Sequence, residues 1–272
     1  SHVLAYAFDG LAVDKRLLLS QIAAFNDPVD YDTIALFNPY FDVAAFDTAL
    51  TELEDRGLLE WDRNADTYDL HPVVRGYSFD QLEDRAGTYG RIADYFGQKP
   101  KDRYETAESL DDLRVSLLVY RALVGAGRLD AAAKFYRGSF ARALFFQLNT
   151  YTTMLELLAP LFPRGDLEAL PNITDKSDQS YIINNLGLAL YAVGKSNAAR
   201  REFTHKLELN LIAGETYGLS AGLANYARTL LDLNLLSLYD RACTLRRALA
   251  VSIGDKNEIL DTDRSLLEIA IV

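Results

Sequence analysis

The stretch Asn184-Asn-Leu-Gly-Leu-Ala-Leu-Tyr-Ala-Val-Gly-Lys-Ser-Asn-Ala-Ala-Arg-Arg-Glu-Phe203 constrains the chain most, because it recurs. A shift of 40 residues pairs Asn185 with Asn225, Leu186 with Tyr226, Leu190 with Leu230, and Gly214-Glu215 with Gly254-Asp255. Gly194-Lys195 reads as the turn of a helical hairpin. Gly187 and Ala199 are expected to face each other where the two helices touch, and Leu186, Leu190 and Phe203 supply bulk. A weaker copy lies 67 residues upstream, where Leu123, Gly127-Arg128, Ala132 and Tyr136 match Leu190, Gly194-Lys195, Ala199 and Phe203. A single hairpin cannot bury its apolar face alone, so a period near 40 residues implies a solenoid of stacked hairpins. The last copy begins near Ser265 and is cut short at Val272, which reads as a truncated array.

The region before the array has a different pattern. Two short apolar segments, Gly57–Trp61 and Thr67–Leu70, flank a polar turn at Asp62–Asp66, which reads as a β-hairpin. Val43, Phe46, Leu50 and Leu53 share one face of a helix before it, which ends at Gly57. Leu82, Ala86, Tyr89, Ala93 and Phe96 share a face after it, predicting a closing helix over 80–97. Pro72 falls near the first turn of the segment that leads there. Helix, two-stranded wing, helix is the core of a winged-helix module. Upstream, an apolar opening precedes a helix capped near Asp14, and residues 26–42 read as loops around a short helix. The opening Ser1-His2 reads as a tag remnant. The expected fold is therefore mostly α: a winged-helix domain over 3–97, a connection over 98–108, and a helical-repeat sensor domain over 109–272. Within the last, helices are expected over Leu113–Ala126, Leu129–Phe146 and Tyr151–Leu161, with a loop over Asn172–Ser180.

Charge and chemistry narrow the function. The formal charge of -11, from 39 acidic and 28 basic residues, argues against nucleic acid as the main ligand, since duplex affinity comes largely from neutralised phosphates. No apolar run reaches membrane-spanning length and no signal peptide opens the chain. The single Cys243 cannot form an internal disulfide, which fits a reducing, cytoplasmic setting. Three histidines, His2, His71 and His205, are too scattered for a zinc site, and no nucleophile has a histidine partner. Gly194-Lys195-Ser196 lacks the preceding glycine-rich turn of a phosphate loop. No catalytic residue and no metal ligand is assigned, and enzyme activity is not expected of this sequence.

The hairpins resemble tetratricopeptide repeats: Leu186-Gly187, Ala199 and Phe203 fall at that family's spacing, with Lys206 where a small residue is usual. The preceding module carries Ala49-Leu-Thr-Glu-Leu-Glu-Asp-Arg-Gly-Leu-Leu59 and Tyr68-Asp-Leu-His-Pro-Val-Val-Arg-Gly-Tyr77. It resembles the winged-helix region of signal-transduction ATPases with numerous domains, the STAND class that includes NB-ARC and NOD-like proteins. That resemblance implies a nucleotide-controlled switch in which ADP or ATP binds an ATPase domain outside this sequence. The wing's last strand would supply a histidine toward ADP, a role that falls on His71, although Leu-His-Pro departs from the Met-His-Asp form. Arg56 and Arg75, which flank the signature, are assigned to interdomain docking. The partners implied are the chain's own ATPase domain and a protein or small molecule on the repeats. Two alternatives stand: a transcriptional regulator with a DNA-reading winged helix, and a helical scaffold with no switching role.

Overall fold

The computed structural model describes residues 2–270. Ser1, part of the expected tag remnant, and residues 271–272, the end of the copy expected to begin near Ser265, lie outside the described residues. The chain divides into two units, Ser1–Gln98 and Lys99–Val272.

The first unit runs α1 (His2–Asp9), α2 (Val13–Ile22), β1 (Val29–Asp30), α3 (Tyr31–Ala35), α4 (Val43–Asp55), β2 (Glu60–Asp62), β3 (Thr67–Asp69), α5 (Pro72–Asp80) and α6 (Arg85–Phe96). β3 is the central strand of an antiparallel sheet ordered β1-β3-β2, with Tyr68 opposite both Val29 and Trp61. From α2 to β3, this is the winged-helix arrangement. The wing forms where Asp62 Oδ1 accepts the amides of Asn64 and Ala65 (2.8 and 3.1 Å) and Asp66 takes a left-handed conformation, φ 52°. Trp61 stacks on Tyr68 across the two strands, with ring centroids 5.7 Å apart. α4 starts because Asp42 accepts the Ala45 amide (3.0 Å), and it stops at Gly57, whose φ of 66° suits glycine. Phe46, Leu50 and Leu53 are buried from one face of α4, but Val43 is exposed.

Several local expectations change here. β1 is a two-residue strand where only loops and a short helix were expected. Asp14 does not cap α2; Ala12 holds that position and Asp14 lies inside the first turn. The closing helix expected over 80–97 is α6 and starts later, at Arg85: α5 runs to Asp80, residues 81–84 separate the two, and Asp84 caps α6 through the Gly87 amide (2.8 Å). Leu82 is buried from that break, and α6 buries Thr88, Ile92 and Ala93 while Ala86 stays exposed.

The second unit opens with α7 (Arg114–Gly125), α8 (Leu129–Tyr136), α9 (Ser139–Arg142) with a π-turn over Ala143–Gln147, and α10 (Tyr151–Leu158). The single helix expected over Leu129–Phe146 is interrupted because Gly138 adopts φ 102°, outside helical geometry. The regular array follows: α11 (Lys176–Ala192), α12 (Ser196–Ala213), α13 (Thr216–Asp232), α14 (Leu236–Ile253) and α15 (Lys256–Ala270), each packed on the next. Starts at 176, 216 and 256, and at 196 and 236, carry the 40-residue period into the backbone. Gly214 and Gly254 close their helices with φ of 70° and 74°. Asn234, at φ 55°, takes the turn that Gly194 makes one repeat earlier, a substitution asparagine tolerates better than other side chains.

The loop expected to run to Ser180 ends at Asp175, whose carboxylate accepts the Asp178 amide at 2.9 Å and begins α11. Asp175→Ala is expected to cost about 1 kcal/mol, read by urea denaturation. Gly187 sits closest to Phe203 rather than to Ala199: a Cβ there would lie 2.6 Å from the Phe203 ring. The result is a mostly helical chain, a small winged-helix module followed in sequence by a helical-repeat solenoid.

Candidate functional site

Two of the three residues singled out in the winged helix, His71 and Arg75, lie at the exit from β3. His71 is the N-cap of α5; its Nδ1 accepts the Val73 amide at 3.3 Å, and the Arg75 amide donates to the His71 carbonyl at 2.9 Å. An accepting Nδ1 places the proton of the neutral ring on Nε2, so the exposed imidazole keeps one donor. The Arg75 guanidinium pairs with Asp69 at the end of β3 and also reaches the Leu70 carbonyl at 3.5 Å, tying α5 to the strand before it. Arg56 lies apart from this pair, at the C-terminus of α4, and bonds Glu52 Oε1 one turn back (2.9 Å).

A second locus lies wholly in the repeat unit. A cavity of about 250 Å³ opens between α11, α12 and the start of α13, beside Arg137. At its wall Lys206 is only 7 % exposed. Its Nζ donates to Asn184 Oδ1 at 2.8 Å, and Asn225 Nδ2 donates to the same oxygen at 2.9 Å. Among the described residues no carboxylate reaches Lys206 within 4 Å, so burial lowers its pKa from 10.5 to about 8. Glu202, one turn earlier on the same helix, accepts from Arg201 Nε at 3.3 Å through Oε1, while its buried Oε2 has no hydrogen-bond partner among the described residues.

Asn210 continues the polar wall. Its Oδ1 accepts from Ser180 Oγ at 2.8 Å, while its buried Nδ2 has no hydrogen-bond partner among the described residues. A Cβ on Gly218, in the first turn of α13, would come within 2.7 Å of that nitrogen, so glycine is what lets the amide lie over the helix start. Glu215, the residue before α13, makes no side-chain cap. Arg137 donates to Asp178 Oδ1 (2.7 Å) and Ser177 Oγ (3.1 Å), and its guanidinium lies 5.3 Å from the centre of the Tyr181 ring. Chemically the cavity offers a buried ammonium and an unpaired amide donor beside a helix start. Of these residues the sequence flagged only Lys206, as a departure from the repeat pattern. The others are polar side chains on helices whose spacing reports apolar faces, and only the packing of three helices brings them together.

No family model matches the chain, and no curated protein matches it. Among solved structures, it is distantly similar to a Signal Transduction ATPase with Numerous Domains (STAND) protein with a tetratricopeptide repeat sensor from Pyrococcus horikoshii, at 12% identity and a TM-score of 0.32. The match covers 94% of this chain and 53% of that one, so this chain spans about half the length of the protein it resembles.

Proposed function

We propose that this chain is the regulatory and sensing part of a nucleotide-dependent signalling switch. Its winged helix docks on an ATPase domain outside this sequence, and its repeats receive a protein or small-molecule ligand. The observation that carries the reading is the polar cavity of the repeat unit. A solenoid gains nothing in stability from a buried ammonium without a counter-ion, whereas a receptor gains a recognition point. A ligand seated there biases an attached domain to the extent that it binds one arrangement better than another. On the winged helix, the Nε2 donor of His71 suits a phosphate oxygen presented by a docked ATPase, while Arg75 holds the strand-to-helix corner in shape.

The charge of the wing favours docking over DNA reading. α4, the helix before the wing, carries Asp47, Glu52, Glu54 and Asp55 and no arginine or lysine. Arg63, near the wing tip, stacks over Trp61 and pairs with Glu54 at 3.3 Å. Duplex DNA titrated at about 50 to 200 mM salt is expected to give no binding; saturable binding that weakens with salt would favour the transcriptional regulator instead.

The gene product that contains this chain is expected to carry a phosphate-binding loop before residue 1. A complete product without one sinks the switch and leaves a scaffold. Calorimetry of residues 1–272 with ADP is expected to show no saturable heat, because His71 alone supplies one donor where a nucleotide site needs many. Saturable ADP binding would mean that the nucleotide site lies within this chain.

A further inference from the structure

We propose that the cavity between α11, α12 and the start of α13 binds a small organic acid through its carboxylate, held by Lys206 and Asn210. The inference rests on reading the repeats as a sensing surface, and it names the chemical class of what they sense.

The donors are the first argument. Lys206 Nζ spends one hydrogen bond on Asn184 and has capacity for two more. Asn210 Nδ2 is buried and has no partner among the described residues, a state that costs free energy until an acceptor arrives. Both groups only donate, so the ligand must bring acceptors. The start of α13 adds first-turn amides with no side-chain cap, an environment that favours negative charge.

Charge gives the valence. Arg137 is compensated by Asp178. Lys176 bonds the neutral Gln179 Oε1 at 3.1 Å, Lys206 bonds a neutral amide, and Glu215 lines the same cavity. Among the described residues, these two cations against one carboxylate leave a single positive charge, which matches a monoanion better than a phosphate dianion. Size agrees: at about 30 Å³ per water, about 250 Å³ admits roughly eight waters, enough for a carboxylate and a short carbon chain.

The geometry is also built rather than incidental. Gly218 lets Asn210 lie over the helix start, and Asn184 is fixed by donors from two directions, so it cannot turn its oxygen away from Lys206.

The test uses the 272-residue chain with three probes at matched pH and ionic strength: acetate, inorganic phosphate and the neutral acetamide. Melting is followed by circular dichroism and binding by proton–nitrogen NMR titration. Acetate is expected to raise the melting temperature saturably above a chloride control and to shift the side-chain amide signal of Asn210. Acetamide is expected to do neither. Lys206→Met keeps the volume and removes the charge; it is expected to weaken acetate at least about tenfold while leaving the fold intact. Gly218→Ala, which crowds Asn210, is expected to weaken acetate without touching Lys206. Acetate binding should also fade as pH rises through about 8, where Lys206 loses its proton. The other titratable groups at the cavity and beside Lys206 are Arg137 with its partner Asp178, Lys176, Tyr181, Glu202 and Glu215.

Equal responses to acetate and acetamide, or an undiminished response in Lys206→Met, would overturn the assignment. A response to phosphate with none to acetate would overturn it as well. The two proposals fail separately. Acetate binding in a gene product that lacks a phosphate-binding loop removes the switch and leaves the site. Silence toward acetate in a product that has the loop removes only the site.

Discussion

Phe203→Ala is expected to destabilise the repeat unit by about 3–5 kcal/mol, the usual range for emptying an aromatic site in a packed core. Phe203 is 1 % exposed on α12, and the space of its ring is bounded by α11 at Gly187. The converse change tests the same contact from the other side. Gly187→Ala puts a Cβ 2.6 Å from a ring carbon, closer than two carbons can approach, so the ring or the helix must move. Overpacking of this kind costs about 1–3 kcal/mol. One change empties the ring's space and the other crowds it, so the two losses should not add. Phe203→Leu withdraws the ring carbons that the methyl introduced by Gly187→Ala would strike, so the double variant is expected to be more stable than the sum of its parts predicts. Urea denaturation of wild type, the two single variants and the double variant gives the coupling directly. Strict additivity would mean that Gly187 and Phe203 do not constrain each other.

The second large effect has the opposite sign. Lys206→Met is expected to stabilise the protein at pH 7 by roughly 3 kcal/mol, the equivalent of lowering a lysine pKa from 10.5 to about 8. The folded chain holds this proton less tightly than the unfolded chain does. Below about pH 8 both states carry it and the whole penalty is present; from there to 10.5 the unfolded state binds more protons, so wild-type stability rises with pH. Above 10.5 both states are neutral and the penalty is gone. The advantage of Lys206→Met should therefore shrink across that window. Taking the difference between the two proteins cancels the tyrosines and other lysines that titrate in the same range. Asn184 loses one donor in the variant but keeps Asn225, so its oxygen is not orphaned. A methionine variant less stable than wild type at pH 7 would show that the lysine holds the fold together. A constant difference from pH 8 to 10.5 would show that its pKa is not displaced.

The sequence made the array legible because its signals are local and repeated. Glycines at 214 and 254 and apolar faces at fixed spacing survive as helix ends and buried stripes. The wing was legible for a similar reason: a polar turn between two short apolar segments has few alternatives. What escaped depends on contacts far along the chain. β1 is too short to show alternation and exists because β3 offers it an edge. Gly138 interrupts a helix whose apolar periodicity runs on without a break, so periodicity alone could not register it. Asp175 was hidden in a polar run that read as loop, although a capping aspartate is itself polar. The cavity was less legible still. Ser180 and Asn210 are 30 residues apart, and Arg137 and Asp178 41 apart; neither pair shares a helix face that a pattern could reveal.

The phasing of the helices gives the cavity a mechanical meaning. Helices α11 and α12 form one hairpin, and α13 opens the next, so an occupant of the cavity touches both sides of a single inter-repeat joint. Under the proposed binding, an acid seated there would act as a wedge at that joint. Under the same proposal, a change of angle at the joint would carry everything from α13 onward with it, the joint being the fulcrum and the far end of the array the place of largest displacement.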